Sequence, residues 1–363
     1  MITKTKIPTY DKIHLRFKLN GRYYDTEDLK EVAYSFIKEG EPFEKTLGDF
    51  LQLWLDAKDY IEVRTSGSVG EPKWIKIKKQ AMVNSAIATG NAFKLKPGDR
   101  VLHCLPSNFI SGRMMLVRAM ILGLELDVVP PKATPVFDLD KTYDFGAMIP
   151  LQVENILPQI SHFKTLIIGG AAVSEPLLKA ISKVKTKCYA TYGMTETVSH
   201  IAIKALNGTK ASAVYKALPK VKLTQNNEGC LIINAPHLLE APLQTNDVVK
   251  MHSDTEFELL GRIDNVINSG GLKLFPEQIE NQLATKLQDR FFIASESNDS
   301  LGEQLVLVVE GDEKVIDTSV FQDLKKNEVP KQIYFVKDFI ETPNRKIQRK
   351  KTMDLLKNGK SIS

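Results

Sequence analysis

Residues 164–196 read KTLIIGGAAVSEPLLKAISKVKTKCYATYGMTE and contain two short apolar runs on either side of a segment with helical spacing. Ser174 stands where a helix N-cap is expected, so the pattern predicts a strand, a crossover helix and a second strand. This order is typical of neighbouring parallel strands in a sheet that helices cover. Ligands of such sheets bind beyond the carboxyl ends of the strands, where Gly169-Gly170 and Tyr192-Gly193 lie. The stretch therefore predicts an α/β fold with a ligand site at that edge.

The alternation of strands and helices extends through most of the chain. Apolar spacing predicts helices over 26–39, 43–55, 80–93, 112–122 and 174–184, and strands over 61–63, 74–77, 100–105, 124–129, 164–168 and 186–191. Short strands and turns predict a small β-rich subdomain over 220–260. A helix over 276–286 and strands over 305–309 and 333–336 follow. We therefore expect an α/β protein with a large N-terminal domain over 1–260, built on helix-covered, mostly parallel sheets. A hinge over 261–264 and a small α+β C-terminal domain over 265–363 complete the prediction.

The composition excludes several classes of protein. A chain of 363 residues with 43% hydrophobic and 26% charged residues is long enough for two domains and ordinary for a soluble protein. A net charge of +5 is too small to predict a nucleic-acid partner. The cysteines, Cys104, Cys188 and Cys230, are odd in number and lack metal spacing, which favours reduced thiols in the cytoplasm. No signal peptide or run of about 18 apolar residues is evident, so we expect no membrane insertion. The oligomeric state stays open.

Three motifs suit the chemistry of phosphate. Residues 65–73 read TSGSVGEPK, a loop whose glycines let backbone N–H groups approach an anion and whose hydroxyls add donors. It is not a Walker A loop, because Glu71 rather than lysine follows Gly70. A strand on each side of it predicts a hairpin that holds phosphate. The other two motifs read YGMTE at 192–196 and GRID at 261–264.

These motifs, in this order, resemble those of the adenylate-forming ligases, the superfamily of acyl-CoA synthetases, firefly-type luciferases and peptide-synthetase adenylation domains. Further matches are SGG at 269–271, PEQIE at 276–280 and PNRKI at 343–347. The resemblance implies an AMP-forming acid–CoA ligase. Such an enzyme joins a carboxylic acid to ATP with Mg²⁺, releases pyrophosphate, and passes the acyl group to CoA with release of AMP. It also implies that the C-terminal domain is mobile.

The resemblance assigns roles to residues of this chain. The implied ATP- and AMP-binding residues are Thr65, Ser66, Gly67, Ser68, Gly70, Lys73, Gly169, Gly170, Ala171, Tyr192, Gly193, Asp247 and Arg262. Thr195 would contact phosphate, and Glu196 would hold Mg²⁺, a cation that prefers oxygen ligands and retains several waters. Asn246 replaces the glycine that the family has before the acid, and we expect it to accept a left-handed backbone there.

The implied catalytic residues are Lys346, Glu196 and Thr195. Lys346 would bridge the attacking carboxylate and the α-phosphate, which positions both and stabilises the charge that develops. Arg345 stands where the family has glycine. Asp264 would be the hinge, because rotation there withdraws Lys346 from the site. The residues that this rotation would bring to CoA are Ser269, Gly270, Gly271 and Lys273.

The acid is the least constrained part of the prediction. Residues 105–112 match the family pattern Leu-Pro-x-Phe-His-x-x-Gly, with Phe109 in place of histidine. Arg118 follows among apolar residues and would pair either with an acid of the protein or with a second carboxylate of the substrate. The short region before Thr65 looks like that of short o-succinylbenzoate–CoA ligases of menaquinone biosynthesis. That resemblance implies an acid-binding set of Ser111, Arg118, Thr197, Ser199 and His200.

Two other functions stay open. One is another aryl- or acyl-CoA ligase, or an adenylation enzyme that loads a carrier protein. The other is a non-catalytic nucleotide-binding sensor with the same fold.

Overall fold

The computed structural model describes residues 7–64, 73–341 and 347–357. The α-helices in these ranges are α1 (Thr26–Glu39), α2 (Pro42–Leu55), α3 (Lys79–Phe93), α4 (Ile110–Leu122), α5 (Pro150–Asn155), α6 (Glu175–Ile181), α7 (Pro276–Leu283) and α8 (Arg349–Lys357). The strands of the first half are β1 (Lys18–Leu19), β2 (Arg22–Tyr23), β3 (Tyr60–Arg64), β4 (Trp74–Lys78), β5 (Arg100–His103), β6 (Glu125–Val128), β7 (Phe145–Met148), β8 (Thr165–Ile168) and β9 (Lys187–Gly193).

The later strands are β10 (His200–Ala205), β11 (Tyr215–Ala217), β12 (Lys222–Gln225), β13 (Cys230–Asn234), β14 (Leu243–Met251), β15 (Glu256–Arg262), β16 (Ile267–Ser269), β17 (Leu272–Leu274), β18 (Phe291–Asn298), β19 (Gly302–Glu310) and β20 (Gln332–Val336). Short 3₁₀ turns occur over Leu157–His162, Gly208–Lys210, Ile263–Asn265 and Thr318–Phe321. The helices predicted from apolar spacing are present with ends shifted by a few residues, which is the usual uncertainty of boundaries.

Local chemistry accounts for the first helices. Asp25 caps α1, because its carboxylate accepts hydrogen bonds from the N–H groups of Glu27 and Asp28. Pro42 opens α2, where a missing N–H costs nothing. The apolar stripe of α2 is buried and lies against α1 and the core beneath it. The pattern of the sequence thus specifies which face of each helix is covered.

One 13-stranded sheet forms the larger part of the molecule, in the order β12-β13-β14-β15-β11-β10-β9-β8-β7-β5-β6-β1-β2. The run β1-β6-β5-β7-β8-β9 is parallel, and α3 and α4 cover part of it. Strand β7 was not predicted, since its four residues are all buried and show no alternation. The parallel register of β8 and β9 brings both carboxyl ends to one edge, as the sequence predicts.

The antiparallel strands predicted within 220–260 are present, and they extend this same sheet. Strands β12 to β15 continue it beyond β11, and Asp247 of β14 pairs with Arg262 of β15. The β-rich region is therefore joined to the parallel strands by backbone hydrogen bonds. Although β14 and β9 are not neighbours in the sheet, Asp247 lies near the end of β9, since it accepts a hydrogen bond from Tyr192.

A second, five-stranded sheet begins after β15. Its order is β17-β16-β19-β18, with β20 beside β19. Gly270 and Gly271 link β16 to β17 with φ of +57° and +79°, the backbone that a two-residue hairpin turn requires. Helix α7 packs against β15 of the first sheet. The change of sheet falls between Arg262 and Ile267, and the domain boundary at 261–264 stays a prediction.

Two further observations concern the chain as a whole. Cys104, Cys188 and Cys230 are buried free thiols. Within the described ranges, no helix is both long and apolar enough to cross a lipid bilayer.

Candidate functional site

Tyr192 lies at the carboxyl end of β9 and connects it to β14. Its hydroxyl donates a hydrogen bond to Oδ2 of Asp247 at 2.6 Å. Its ring contacts Tyr215 and Phe257 edge-on, at centroid distances of 6.0 and 5.1 Å. Burial, and then the charge of Asp247, raise the pKa of Tyr192, so the phenol stays protonated. The structure thus gives Tyr192 a partner that sequence alone did not indicate, while its part in binding ATP and AMP stays a prediction.

A chain of ion pairs leads from Asp247 to the predicted hinge. Arg262 donates from Nη1 to Oδ1 of Asp247 at 3.3 Å and from Nη2 to Oδ2 of Asp264 at 3.0 Å. Asn246 also donates to both carboxylate oxygens of Asp264, at 3.3 and 3.2 Å. The expected left-handed backbone at Asn246 is wrong, because this residue lies within β14 and has no positive φ.

The glycines beside this cluster bring strands close together. A Cβ on Gly169 would lie 2.5 Å from Oγ1 of Thr191, and one on Gly193 would lie 2.3 Å from the carbonyl oxygen of Ser199. Gly170 has φ of +84°, so it occupies a conformation that other residues avoid. Ala171 follows as an exposed residue. Residues 169–171, which are predicted to bind ATP and AMP, therefore form an open turn at the edge of the sheet.

Arg118 lies inside the protein at 2% exposure, and its hydrogen-bond partners among the described residues are neutral. Its guanidinium donates from Nη2 to Oγ of Ser199 at 2.7 Å and from Nε to Oγ1 of Thr89 at 3.2 Å. Nη1 lies 3.6 Å from the sulfur of Met115. No carboxylate in the described part of the chain forms an ion pair with Arg118, and burial lowers its pKa to about 9. The structure therefore contains a buried cation without an anion beside it.

His200 completes this polar cluster. Its ring nitrogens lie 3.4 Å from Oγ1 of Thr89 and 3.4 Å from Oγ of Ser199. Burial, and then the nearby charge of Arg118, lower the pKa of His200 well below its usual value. The imidazole is therefore neutral at pH 7. Thr89 was missed at the sequence level, since a threonine within an apolar helix carries no functional signal.

The remaining residues of the predicted acid-binding set differ in position. Ser111 is exposed in the first turn of α4, and no hydrogen bond between described residues connects it to Arg118. Thr197 is fully buried, and its hydroxyl bonds to the backbone of Met194 and Ser199. The structure thus joins Arg118, Ser199 and His200 directly and gives Thr197 an internal partner.

Glu196 lies in the turn after β9 as an exposed side chain, and Thr195 precedes it at intermediate burial. No cluster of three or more His, Cys, Asp or Glu residues that suits a metal occurs in the described ranges. A single accessible carboxylate nevertheless fits Mg²⁺, because this ion takes one or two carboxylates and completes its shell with phosphate oxygens and water. Glu196 is thus a suitable protein ligand for a metal that arrives with ATP.

The predicted CoA residues lie on the second sheet. Ser269 lies on β16 and Lys273 lies on β17 of the same hairpin, but the two residues do not pair with each other. Gly270 and Gly271 form the exposed tip of this hairpin. No hydrogen bond between described residues joins this hairpin to residues 192–200. The structure does not bring these two groups into contact.

Several predicted residues lie outside the described ranges: Thr65, Ser66, Gly67, Ser68, Gly70 and Lys346. Lys73 is described as an exposed residue directly before β4. Strands β3 and β4 pair antiparallel, with Arg64 opposite Trp74. The described residues thus form the two strands that were predicted on either side of the phosphate loop.

Comparison with known proteins identifies the family. The AMP-binding enzyme family matches residues 63–230. An acyl-CoA synthetase (AMP-forming)/AMP-acid ligase II-like protein of Dyadobacter fermentans has a solved structure with 37% identity and a TM-score of 0.60. The match covers 90% of this chain and 98% of that protein. The chain belongs to the AMP-binding enzymes. The predicted adenylate-forming superfamily, the fold class and the AMP-forming ligase class are thereby confirmed.

More distant relatives of this AMP-binding enzyme have more specific names. A 2-succinylbenzoate–CoA ligase of Bacillus cytotoxicus is 24% identical over 93% of this chain and 78% of its own length. One from Escherichia coli K12 is 26% identical over 70% of this chain and 59% of its own length. The o-succinylbenzoate coenzyme A synthetase (MenE) of Bacillus subtilis, solved with ATP and magnesium, shares the fold at 17% identity. Its TM-score is 0.69, over 91% of this chain and 82% of that protein.

Proposed function

We propose that this AMP-binding enzyme is an ATP- and Mg²⁺-dependent acid–CoA ligase whose acid is 2-succinylbenzoate. One carboxylate oxygen of the acid attacks the α-phosphorus of ATP, and pyrophosphate leaves. The thiol of CoA then attacks the carbonyl carbon of the acyl-adenylate, and AMP leaves. The resemblance associates this activity with menaquinone biosynthesis.

The observation that carries the proposal is the buried, unpaired charge of Arg118. Burying a guanidinium without an anion costs several kcal/mol, so proteins rarely retain one without a reason. The alternative reading of Arg118, an ion pair with an acid of the protein, finds no partner in the described ranges. A dicarboxylic acid supplies the missing anion, because one carboxylate reacts while the other accepts the planar fork of arginine.

The other site residues would act on ATP. Glu196 would hold Mg²⁺, which neutralises charge on the phosphates when bound. Asp247, held by Tyr192 and Arg262, presents a carboxylate that suits the ribose hydroxyls. Thr195 would donate to a phosphate oxygen. Lys346 keeps its predicted role at the α-phosphate, although it lies outside the described ranges.

The supporting observations extend to the compartment and the acceptor. Three buried free thiols favour a reducing compartment, so we infer a cytoplasmic enzyme. CoA as the acceptor follows from the names of relatives. A carrier protein is the alternative acceptor, and no contact in the structure favours it.

Pyrophosphate release in the presence of ATP, Mg²⁺ and CoA tests the proposal. We expect rapid release with 2-succinylbenzoate and little with benzoate, a fatty acid or acetate. Rapid release with a different acid would overturn the substrate and keep the ligase. Absence of release with every acid, from folded protein that binds ATP, would overturn the ligase in favour of a nucleotide sensor.

A further inference from the structure

The chain between β9 and β10 forms a tight turn over residues 194–199, in which Thr197 and Val198 are buried. Gly193 and His200 pair across it, so its two ends lie side by side. A Cβ on Gly193 would lie only 2.3 Å from the carbonyl oxygen of Ser199. The N–H of Val198 donates to the carbonyl of Thr195 at 3.0 Å, and the N–H of Ser199 donates to the carbonyl of Thr197 at 2.7 Å. The turn therefore has little freedom to change shape.

Thr197 holds the centre of this turn. Its side chain is fully buried, and Oγ1 accepts a hydrogen bond from the N–H of Met194 at 2.9 Å. The same hydroxyl lies 2.8 Å from the carbonyl oxygen of Ser199 and 3.0 Å from that of Met194, and its single proton serves one of them at a time. One hydroxyl thus joins the beginning of the turn to its end.

Val198 is strained within the turn. Its φ is +68°, a region that β-branched residues avoid, and its side chain is buried. Such a conformation costs on the order of 1–3 kcal/mol and persists only where the surroundings enforce it. The hydrogen bonds of Thr197, the residue next to Val198, can enforce this conformation. Strain of this kind is concentrated in proteins at functional sites.

The two halves of the turn carry different parts of the site. Thr195 and Glu196 belong to the predicted phosphate and Mg²⁺ side. Ser199 accepts the hydrogen bond of Arg118 at 2.7 Å, on the proposed acid side. Ser199 and Thr197 therefore form a continuous chain of contacts between Arg118 and the turn that carries Glu196.

We propose that Thr197 is a positioning residue whose hydroxyl holds Glu196 in place for Mg·ATP and couples it to the acid anchor at Arg118. The proposal rests on the proposed function for the identity of the acid. It assigns Thr197 no contact with the substrate. Its role is to hold the turn in one conformation, so that binding of the acid at Arg118 favours binding of Mg·ATP at Glu196, and the reverse.

Two variants of Thr197 separate this role from simple stability. Thr197→Val keeps the shape and removes the hydroxyl, whereas Thr197→Ser keeps the hydroxyl and removes a methyl group. Mg·ATP binding without any acid is measured first by calorimetry. We expect about fivefold to tenfold weaker Mg·ATP binding in Thr197→Val and nearly unchanged binding in Thr197→Ser, within the usual range of coupling between sites. Equal Mg·ATP affinities in the two variants would overturn the positioning role whatever the acid is.

The second measurement is the affinity for the Mg²⁺ complex of α,β-methylene-ATP, from which the acid cannot displace pyrophosphate, with and without saturating 2-succinylbenzoate. In the wild-type protein we expect the acid to raise this affinity several-fold, and in Thr197→Val we expect no increase. An increase retained in Thr197→Val would overturn the coupling. If Thr197→Val does not fold, Thr197→Ala serves instead, because it also removes the hydroxyl. It is expected to weaken Mg·ATP binding and to abolish the effect of the acid, as Thr197→Val is. If the acid does not change the nucleotide affinity of the wild-type protein, both the coupling and the proposed substrate are contradicted. The acid-free comparison of Thr197→Val with Thr197→Ser then still tests the positioning role of Thr197.

Discussion

At the scale of single residues, Arg118 shows how a protein retains a group that its own stability does not favour. The side chain is buried, bonds only to hydroxyls and a thioether, and has no acid beside it in the described ranges. Replacement of buried charged groups by apolar ones of similar volume is often neutral or stabilising. Stability and function should therefore respond in opposite directions when Arg118 is changed.

Arg118→Met tests this expectation. Loss of the fork should raise the KM for 2-succinylbenzoate by about 30-fold to 5000-fold, since breaking a buried hydrogen-bonded charge pair costs about 2–5 kcal/mol. The KM for ATP should change little, and the melting temperature should stay the same or rise. Steady-state kinetics and thermal unfolding measure both effects. Arg118→Lys is the matched control, because it keeps the charge without the planar fork. Its KM for 2-succinylbenzoate should lie between those of the wild type and Arg118→Met. An unchanged KM for the acid would refute the anchor.

His103 is a second buried group with a measurable signature. Its Nε2 lies 2.9 Å from Oγ of Ser107, its Nδ1 has no hydrogen-bond partner among the described residues, and burial lowers its pKa to about 4. The unfolded chain takes up a proton near pH 6.5, whereas the folded protein does so only near pH 4. The contribution of His103 to stability is therefore present above pH 6.5 and is lost as the pH falls towards 4.

His103→Gln removes this titration while it keeps a polar group near Ser107. We expect the wild-type protein to lose up to about 3 kcal/mol more than the variant between pH 7 and pH 4. Urea unfolding at several pH values in this range measures the difference. Parallel curves for the two proteins would show that His103 is not the group that titrates.

At the scale of elements, a partly buried ion pair joins α7 to α8. Arg349 donates to Glu280 through both guanidinium nitrogens, at 2.6 and 2.8 Å, and Nη1 also reaches the carbonyl oxygen of Ile293 at 3.1 Å. The N–H of Ile293 donates to Glu280 at 2.7 Å. The pair thereby links two helices and β18. Residues 341 and 347, which flank the segment with Lys346, also pair with each other.

Glu280→Gln should destabilise the protein by about 2 kcal/mol, less than the 3–5 kcal/mol typical of a fully buried pair, because both side chains keep some exposure to water. The variant keeps the shape and leaves the charge of Arg349 without its partner. Lys30→Gln is the control, since it breaks an exposed pair with Glu27 that should contribute well under 1 kcal/mol. Chemical unfolding measures the free energy of unfolding of both variants. Equal losses of stability would show that burial does not strengthen the pair formed by Glu280.

At the scale of the whole molecule, α7, which packs against β18 of the second sheet, also contacts β15 of the first sheet. Glu277 of α7 lies against Gly261 of β15, where a Cβ would be 2.6 Å from Oε2 of the glutamate. Oε1 of Glu277 accepts a hydrogen bond from Asn265 at 2.5 Å. The glycine of the GRID motif thus allows helix and strand to approach closely. This contact lies beside the predicted hinge at Asp264.

Gly261→Ala should loosen this contact without disturbing either core. We expect limited proteolysis between residues 262 and 267 to become about fivefold to tenfold faster, which corresponds to about 1 kcal/mol of local opening. Gly271→Ala is the control: its φ of +79° adds strain, but a Cβ there meets no atom within 4 Å. Equal proteolysis rates in wild type and Gly261→Ala would show that the approach of α7 to β15 does not hold the sheets together.

The sequence by itself determined the alternation of strands and helices, the ends of α1 to α4, the edge at which Tyr192 and Gly169 lie, and the order of the family motifs. These features depend on neighbours within a few residues, such as caps, apolar spacing and glycine turns. The tertiary structure alone decided that Arg118 meets Thr89 and Ser199 rather than an acid, and that Tyr192 meets Asp247. It also decided that the strands of 220–260 extend the same sheet. Those partners lie tens of residues apart in the chain, so only the packing of the sheet brings them together.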